Sequence, residues 1–151
     1  MKNTFFVLVS LFLILNSAHA QKKKASVVKD VAVPENVNTS FKSLYNQVAD
    51  NKWNKNYSGN YVASFKNADN QKQAVEFSGT GAVVKSRIEY EVGSLPENIN
   101  TSINSQYPET TIIEASKFQM PGVAPYYKVK INGSGNSGKE LLISEEGTIT
   151  E

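Results

Sequence analysis

Thirteen residues at 33–45 recur at 95–107, a spacing of 62, with eight identities and apolar exchanges at Val33/Leu95, Val37/Ile99 and Phe41/Ile103. Farther along, 61–65 lies over 127–131 and 74–85 over 140–151, both at a spacing of 66. A chain that repeats itself is built from copies of one supersecondary unit, so whatever the first half folds into, the second half must repeat. The drift of four residues calls for an insertion between the first and second strands of the second copy, around Met120, Pro121 and Gly122.

Each copy opens with a proline, Pro34 or Pro96, which suits the first turn of a helix because its missing N–H has no partner there. Glu35 and Glu97 follow, at the end where the helix dipole favours negative charge. Val37, Phe41, Leu44, Tyr45 and Val48, and then Ile99, Ile103 and Tyr107, recur at steps of three and four, which predicts one buried stripe per helix. Pro108 ends the second helix. The period then changes to two. Ile88, Tyr90 and Val92 alternate with Arg87, Glu89 and Glu91, and Tyr127, Val129 and Ile131 alternate with Tyr126, Lys128 and Lys130. Alternation of this kind means an antiparallel sheet with one packed and one wet face, and Gly, Asn and Asp clusters between the runs fit hairpins. The expected fold class is α+β: two tandem repeats, each one helix packed on one face of a roughly four-stranded antiparallel sheet, at 33–92 and 93–151.

Ahead of the repeats, Lys2, an apolar run over 5–15 and Ala18-His19-Ala20 have the form of a cleavable secretory signal over 1–20, too short to span a bilayer. Residues 21–32 read as a basic tail or linker. Cleavage between Ala20 and Gln21 makes the protein periplasmic or secreted, with no stable membrane insertion. It also removes the only histidine, and the chain has no cysteine, so thiol and imidazole nucleophiles, Cys or His metal ligation and disulfides are excluded. The mature chain carries 15 Lys and Arg against 14 Asp and Glu, and from Ala25 onward 12 against 14. Nucleic acid is therefore not an expected partner.

The helix opening Val/Leu-Pro-Glu-Asn, the strand around Trp53, the Tyr-x-x-x-Phe strand at 61–65 and the strand-turn-Gly pattern at Gly81 and Gly147 resemble the PepSY-like, beta-lactamase-inhibitor-like family of bacterial envelope proteins. The resemblance runs from Val33 to the end of the chain, in two copies. It implies tandem helix-plus-sheet repeats that can join into one curved sheet, and a role in binding or inhibiting other proteins. It carries no catalytic residues. The second copy departs from the first by having Ala115 where the first has Trp53.

Glu89 and Glu91, two apart on an expected strand face, are the best carboxylate pair for acid-base work, but an open sheet solvates such a pair. The glycine-rich stretch 133–138 opens no helix after a parallel strand and is read as a hairpin loop, not a phosphate cradle. Tyrosine and tryptophan on a rigid sheet beside lysines are what protein-binding surfaces favour. The expected contact residues are Met120, Val123, Tyr126, Lys128 and Lys130, on the sheet face and the proline-stiffened loop 120–125, with Trp53 either in this role or in the core. The sequence is thus read as a non-enzymatic module that binds another envelope protein, without catalytic residues, metal or cofactor. A carrier of a small ligand or cell-wall fragment in a pocket between the repeats is the alternative, ahead of a carboxylate-dependent hydrolase. The leader makes a direct prediction: mass spectrometry of the exported protein finds Gln21, free or cyclised, at the N-terminus, and a full-length cytoplasmic species would refute it.

Overall fold

The structure, a computed structural model, describes residues 31–133 and 138–150. The expected leader, the basic tail up to residue 30 and positions 134–137 of the glycine-rich loop lie outside the described residues. Helix α1 (Glu35–Leu44) precedes strands β1 (Asn51–Lys55), β2 (Tyr61–Lys66), β3 (Lys72–Phe77) and β4 (Val83–Tyr90). A short 3-10 turn (Val92–Ser94) leads to helix α2 (Glu97–Gln106), then β5 (Thr110–Met120), β6 (Val123–Gly133), β7 (Lys139–Ser144) and β8 (Ile149–Thr150). The α+β class is as expected. The strands, however, form a single eight-stranded antiparallel meander in chain order, not two separate sheets. Antiparallel pairing of β4 with β5, from Ser86 opposite Gln119 to Tyr90 opposite Ala115, joins the halves. It satisfies backbone groups that two separate sheets would each have left on an open edge.

Both prolines stand one residue outside the helices they introduce. Pro34 and Pro96 are extended, and their carbonyls accept the first helical bonds from Asn38 and Asn100 at 3.0 and 3.1 Å. The apolar stripes seat as expected at Val37 and Phe41 and at Ile99 and Ile103, all essentially inaccessible to solvent. Leu44 is the exception: it lies at the end of the α1 stripe and is 58% exposed. Val92 also departs from expectation, since β4 ends at Tyr90 and Val92 sits exposed in the 3-10 turn.

Each helix covers its own core on the same face of the sheet. Under α1 lie Ala63, Phe65, Val75 and Phe77, with Trp53 and Tyr61 against them. Under α2 lie Ala115, Tyr127, Val129, Ile131, Leu141 and Ile143. The first core is aromatic: the Phe41 ring lies 5.3 Å from Trp53 and 5.4 Å from Phe65. The second replaces these rings by aliphatic side chains. Across the strand pair, Trp53 faces Ala63 in the first core while Ala115 faces Val129 in the second, so bulk is supplied from opposite strands.

A polar clamp fixes each helix to the hairpin that closes its own set of strands. Asn36 Nδ2 donates to the Gly79 carbonyl at 3.0 Å, and Asn98 Nδ2 to the Glu145 carbonyl at 2.8 Å. Gly81 and Gly147, at φ +85° and +92°, let these hairpins press against the helices. A Cβ on Gly81 would stand 2.8 Å from Ser40 Oγ and 2.9 Å from the Asn36 carbonyl oxygen, and one on Gly147 would stand 2.7 Å from Ser102 Oγ. Four hairpins share one turn. At Asn56, Asn67, Ser78 and Ser144 the backbone N–H bonds four residues ahead, and the carbonyl accepts from the residue three ahead, which has positive φ. In each, the side-chain oxygen of that first residue also accepts from the N–H four residues on. This is a three-residue loop whose third residue is left-handed, and it explains why Asn, Ser and Gly punctuate the strands.

Gly81→Ala and Gly147→Ala are each expected to cost about 1–3 kcal/mol from backbone strain and contact with the helix. Gly79→Ala, where a Cβ meets nothing within 4 Å, should be nearly silent. Urea unfolding of the three variants checks the contrast.

Candidate interaction surface

With both helices on one side, no helix or strand among the described residues covers the other face of the sheet. Strand pairing lays one row of side chains across it: Lys52, Ser64, Ala74, Arg87, Phe118, Tyr126 and Ser144. A neighbouring row runs through Glu89, Ser116, Lys128 and Leu142. The parity expected for β6 holds, so Tyr126, Lys128 and Lys130 stand on this open face opposite Phe118, Ser116 and Glu114. Phe118 and Tyr126 stack at 5.5 Å with their planes 15° apart. Leu142, 40% exposed, lies beside them opposite Lys128.

Trp53 is on the other face. It opposes Ala63, packs edge-on against Phe41 and is half-buried in the α1 core, because its parity in β1 is that of the helix-facing residues. Structure therefore groups five of the six expected contact residues along the β5–β6 hairpin and separates Trp53 from them. The expected loop over 120–125 is also different in form. Met120 pairs with Val123, leaving only Pro121 and Gly122 as the turn, with Gly122 at φ +76°. Pro125 is accommodated because the register shifts between Phe118 and Met120, where the missing N–H breaks no regular ladder. β5 and β6 have 11 residues each, against 5 and 6 for β1 and β2. β4 pairs with β5 only as far as Gln119, and β7 with β6 only from Tyr126, so the tip projects beyond its neighbours. Val123 at this tip is 50% exposed.

Charge on the open face is arranged in pairs. Arg87 Nη2 holds Glu89 at 2.7 Å, Lys72 approaches the same carboxylate at 3.7 Å, and Lys128 holds Glu140 at 2.5 Å. Glu89 is thus held by two cations, and Glu91 lies outside β4 in the exposed chain beyond it. Both carboxylates nevertheless line one open hollow of about 570 Å³ at the end of β4, shared with Lys66, Asp69 and Lys72. Glu76 is the most enclosed acid on the face, its side chain 12% exposed. The Asn60 amide donates to it at 2.7 Å and holds its carboxyl below the usual range, with help from Asn56 at 2.9 Å and Lys85 at 3.4 Å. On the helix side, burial pushes the Tyr127 hydroxyl up to about 12, Tyr90 adding to the effect.

Small side chains at Ser64 and Ala74, between long ones, leave a groove of about 700 Å³ on the open face of β1–β4. The hollow at the junction of the halves, bounded by Arg87, Ser116, Phe118 and Lys128, is only about 110 Å³. Among the described residues no group of three acidic, His or Cys side chains could hold a metal ion. No helix among them is long and apolar enough to cross a membrane.

No family model matches the sequence, and no curated protein sequence matches it. Solved structures do resemble it. A DUF2874 family protein from Bacteroides ovatus aligns at a TM-score of 0.69 and 17% identity, covering 80% of this chain and 86% of that one. A BLIP-like protein from Bacteroides fragilis aligns at 0.68 and 20% identity, covering 80% and 85%. A Bacteroides eggerthii chain provisionally assigned to the periplasm aligns at 0.67 and 17%, covering 80% and 88%. At these identities the likeness establishes the fold, an α+β BLIP-like fold, in agreement with the beta-lactamase-inhibitor-like resemblance in the sequence.

The lowered pKa of the Glu76 carboxyl makes stability depend on pH. Its contribution is complete above the unfolded-state pKa and is lost as pH falls through the lower folded value. Glu76→Gln should therefore lose about 1–3 kcal/mol at neutral pH. That gap to wild type should shrink as the pH falls below the ordinary carboxylate range, as unfolding curves at a series of pH values would show.

Proposed function

We propose that the chain is a non-enzymatic, exported protein-binding module that receives another envelope protein on the uncovered sheet face, around the projecting β5–β6 hairpin. One observation carries this reading: an eight-stranded face left bare by both helices, bearing a stacked Phe118–Tyr126 pair beside a protruding apolar tip. Rigid aromatic area loses little conformational entropy on docking, and a tip made of two paired strands has already lost most of its freedom. Tyr126, Met120 and Val123 are the anchors, and Lys128 and Lys130 are the polar rim.

In this reading, 33–92 and 93–151 are two copies of one unit, supported by the matching clamps at Asn36 with Gly81 and Asn98 with Gly147. The copies have diverged in use. The first keeps its large aromatic side chain, Trp53, for its core, while the second extends its first two strands into a contact element. Export rests on the leader at 1–20, and an inhibitor-like action on the beta-lactamase-inhibitor-like resemblance. The small hollow at the junction of the halves is below the usual size of a ligand pocket and disfavours a carrier whose site lies there.

Affinity capture from the cell envelope with the mature protein as bait tests this. Tyr126→Ala and Met120→Ala should each weaken retention of the captured protein by about 1–2 kcal/mol with the melting temperature nearly unchanged. Trp53→Ala should instead cost at least about 2 kcal/mol of stability. Undiminished capture by both hairpin variants would refute the assignment.

A further inference from the structure

The groove over Ser64 and Ala74 is lined by Lys52, Lys66, Lys72 and Arg87. Two acids also border it. Glu89 is already engaged by Arg87 and Lys72, and Asp50 lies at the edge where β1 begins. Lys66 Nζ donates to the exposed Asn70 amide oxygen at 2.9 Å and, among the described residues, pairs with no carboxylate. This is a local excess of cations on a chain that is otherwise slightly acidic from residue 25 onward. Seven of the 12 basic residues in that region stand on the open face: Lys52, Lys66, Lys72, Lys85, Arg87, Lys128 and Lys130. Among the described residues, four acids within strands share that face, Glu76, Glu89, Glu114 and Glu140, while Asp50 borders the groove and Asp69 and Glu91 line the adjoining hollow. The cationic excess is therefore local to the groove, where Lys52, Lys66, Lys72 and Arg87 stand against Asp50 and Glu89, and complementary potential is what orients a docking partner.

The geometry points to this groove as the seat of a carboxylate-rich polypeptide segment of the partner, which deepens the protein-binding reading and rests on it. The acidic side chains would pair with Lys52, Lys66 and Lys72 above the small floor. The segment would continue past Arg87 onto the Phe118–Tyr126 stack. The row from Lys52 to Tyr126 crosses β1 to β6. At the usual interstrand spacing that is about 24 Å, the length of about seven extended residues. An open trough of this span suits a chain segment better than an enclosed small acid, which needs burial on most sides to gain affinity.

The probe is a decaglutamate peptide added to the mature protein, with decaglutamine and free glutarate as the other arms. Calorimetry and amide chemical shifts are the readouts. Decaglutamate should bind, shift the Ser64 and Ala74 amides and weaken as salt is raised. The double variant Lys52→Gln/Lys66→Gln, with its melting temperature checked, should lose about tenfold in affinity. Lys55→Gln, which removes a charge from the helix-side parity of β1, should bind as wild type does. Equal binding of decaglutamine, an equal loss in Lys55→Gln, or glutarate binding as tightly as the peptide would each overturn the proposal. If decaglutamate fails to bind while Tyr126→Ala still loses the captured protein, the groove assignment falls and the protein-binding reading stands. If decaglutamate seats in the groove while both hairpin variants capture normally, the hairpin reading falls instead.

Discussion

Seating two short helices on one side of the sheet is the constraint that the other features of this molecule follow from. Ten residues rich in Asn, Thr and Ser make a marginal helix in water. What holds each one is burial of two or three apolar side chains, each worth about 1.5–3 kcal/mol when fully covered, and a clamp from its first-turn asparagine to a hairpin carbonyl. The clamp works only because Gly81 and Gly147 carry no Cβ at the point of contact. Since both helices are fixed this way on the same face, the opposite face of the strands is covered by neither helix.

Continuity of that bare face depends on a second contact, the five paired positions between β4 and β5. Without it the molecule would present two narrow sheets, each with an extra open edge. With it, Arg87 of the first half lies directly beside Phe118 of the second, and a cationic region abuts an aromatic one. The two cores beneath tolerate quite different side chains, since Phe41, Phe65 and Phe77 in one are matched by Ile103, Ile131 and Ile143 in the other. Each core closes because volume is redistributed among neighbours: Trp53 beside Ala63 in one place, Ala115 beside Val129 in the other.

Much of this was legible in the residues. The 62-residue echo foretold that a helix would precede strands twice, and the alternation in 126–131 foretold which β6 residues face outward. The stripes at Val37, Phe41, Ile99 and Ile103 lie where the helical period placed them. Misreadings cluster where a local pattern runs on past the tertiary contact that gives it meaning. Leu44 keeps the helical step but, as the last residue of α1, is left exposed. Val92 keeps the strand alternation after β4 has lost its partner. Trp53 invited both a core and a surface reading because a half-buried aromatic satisfies either composition rule. The groove at Ser64 and Ala74 was invisible, because it arises from two small residues brought side by side by the pairing of β2 and β3.

Sequence alone determined the class of fold, the element order and the inward or outward parity within most strands. Periodicity, turn chemistry and self-similarity are local properties, and the backbone expresses them wherever the chain lies. Only tertiary structure decided that the strands make one sheet, that 120–125 is a paired hairpin tip, and that most of the basic residues share the uncovered face. Those outcomes depend on which strand stands beside which. Cross-strand register is set by packing between residues far apart in the chain, and no single segment encodes it.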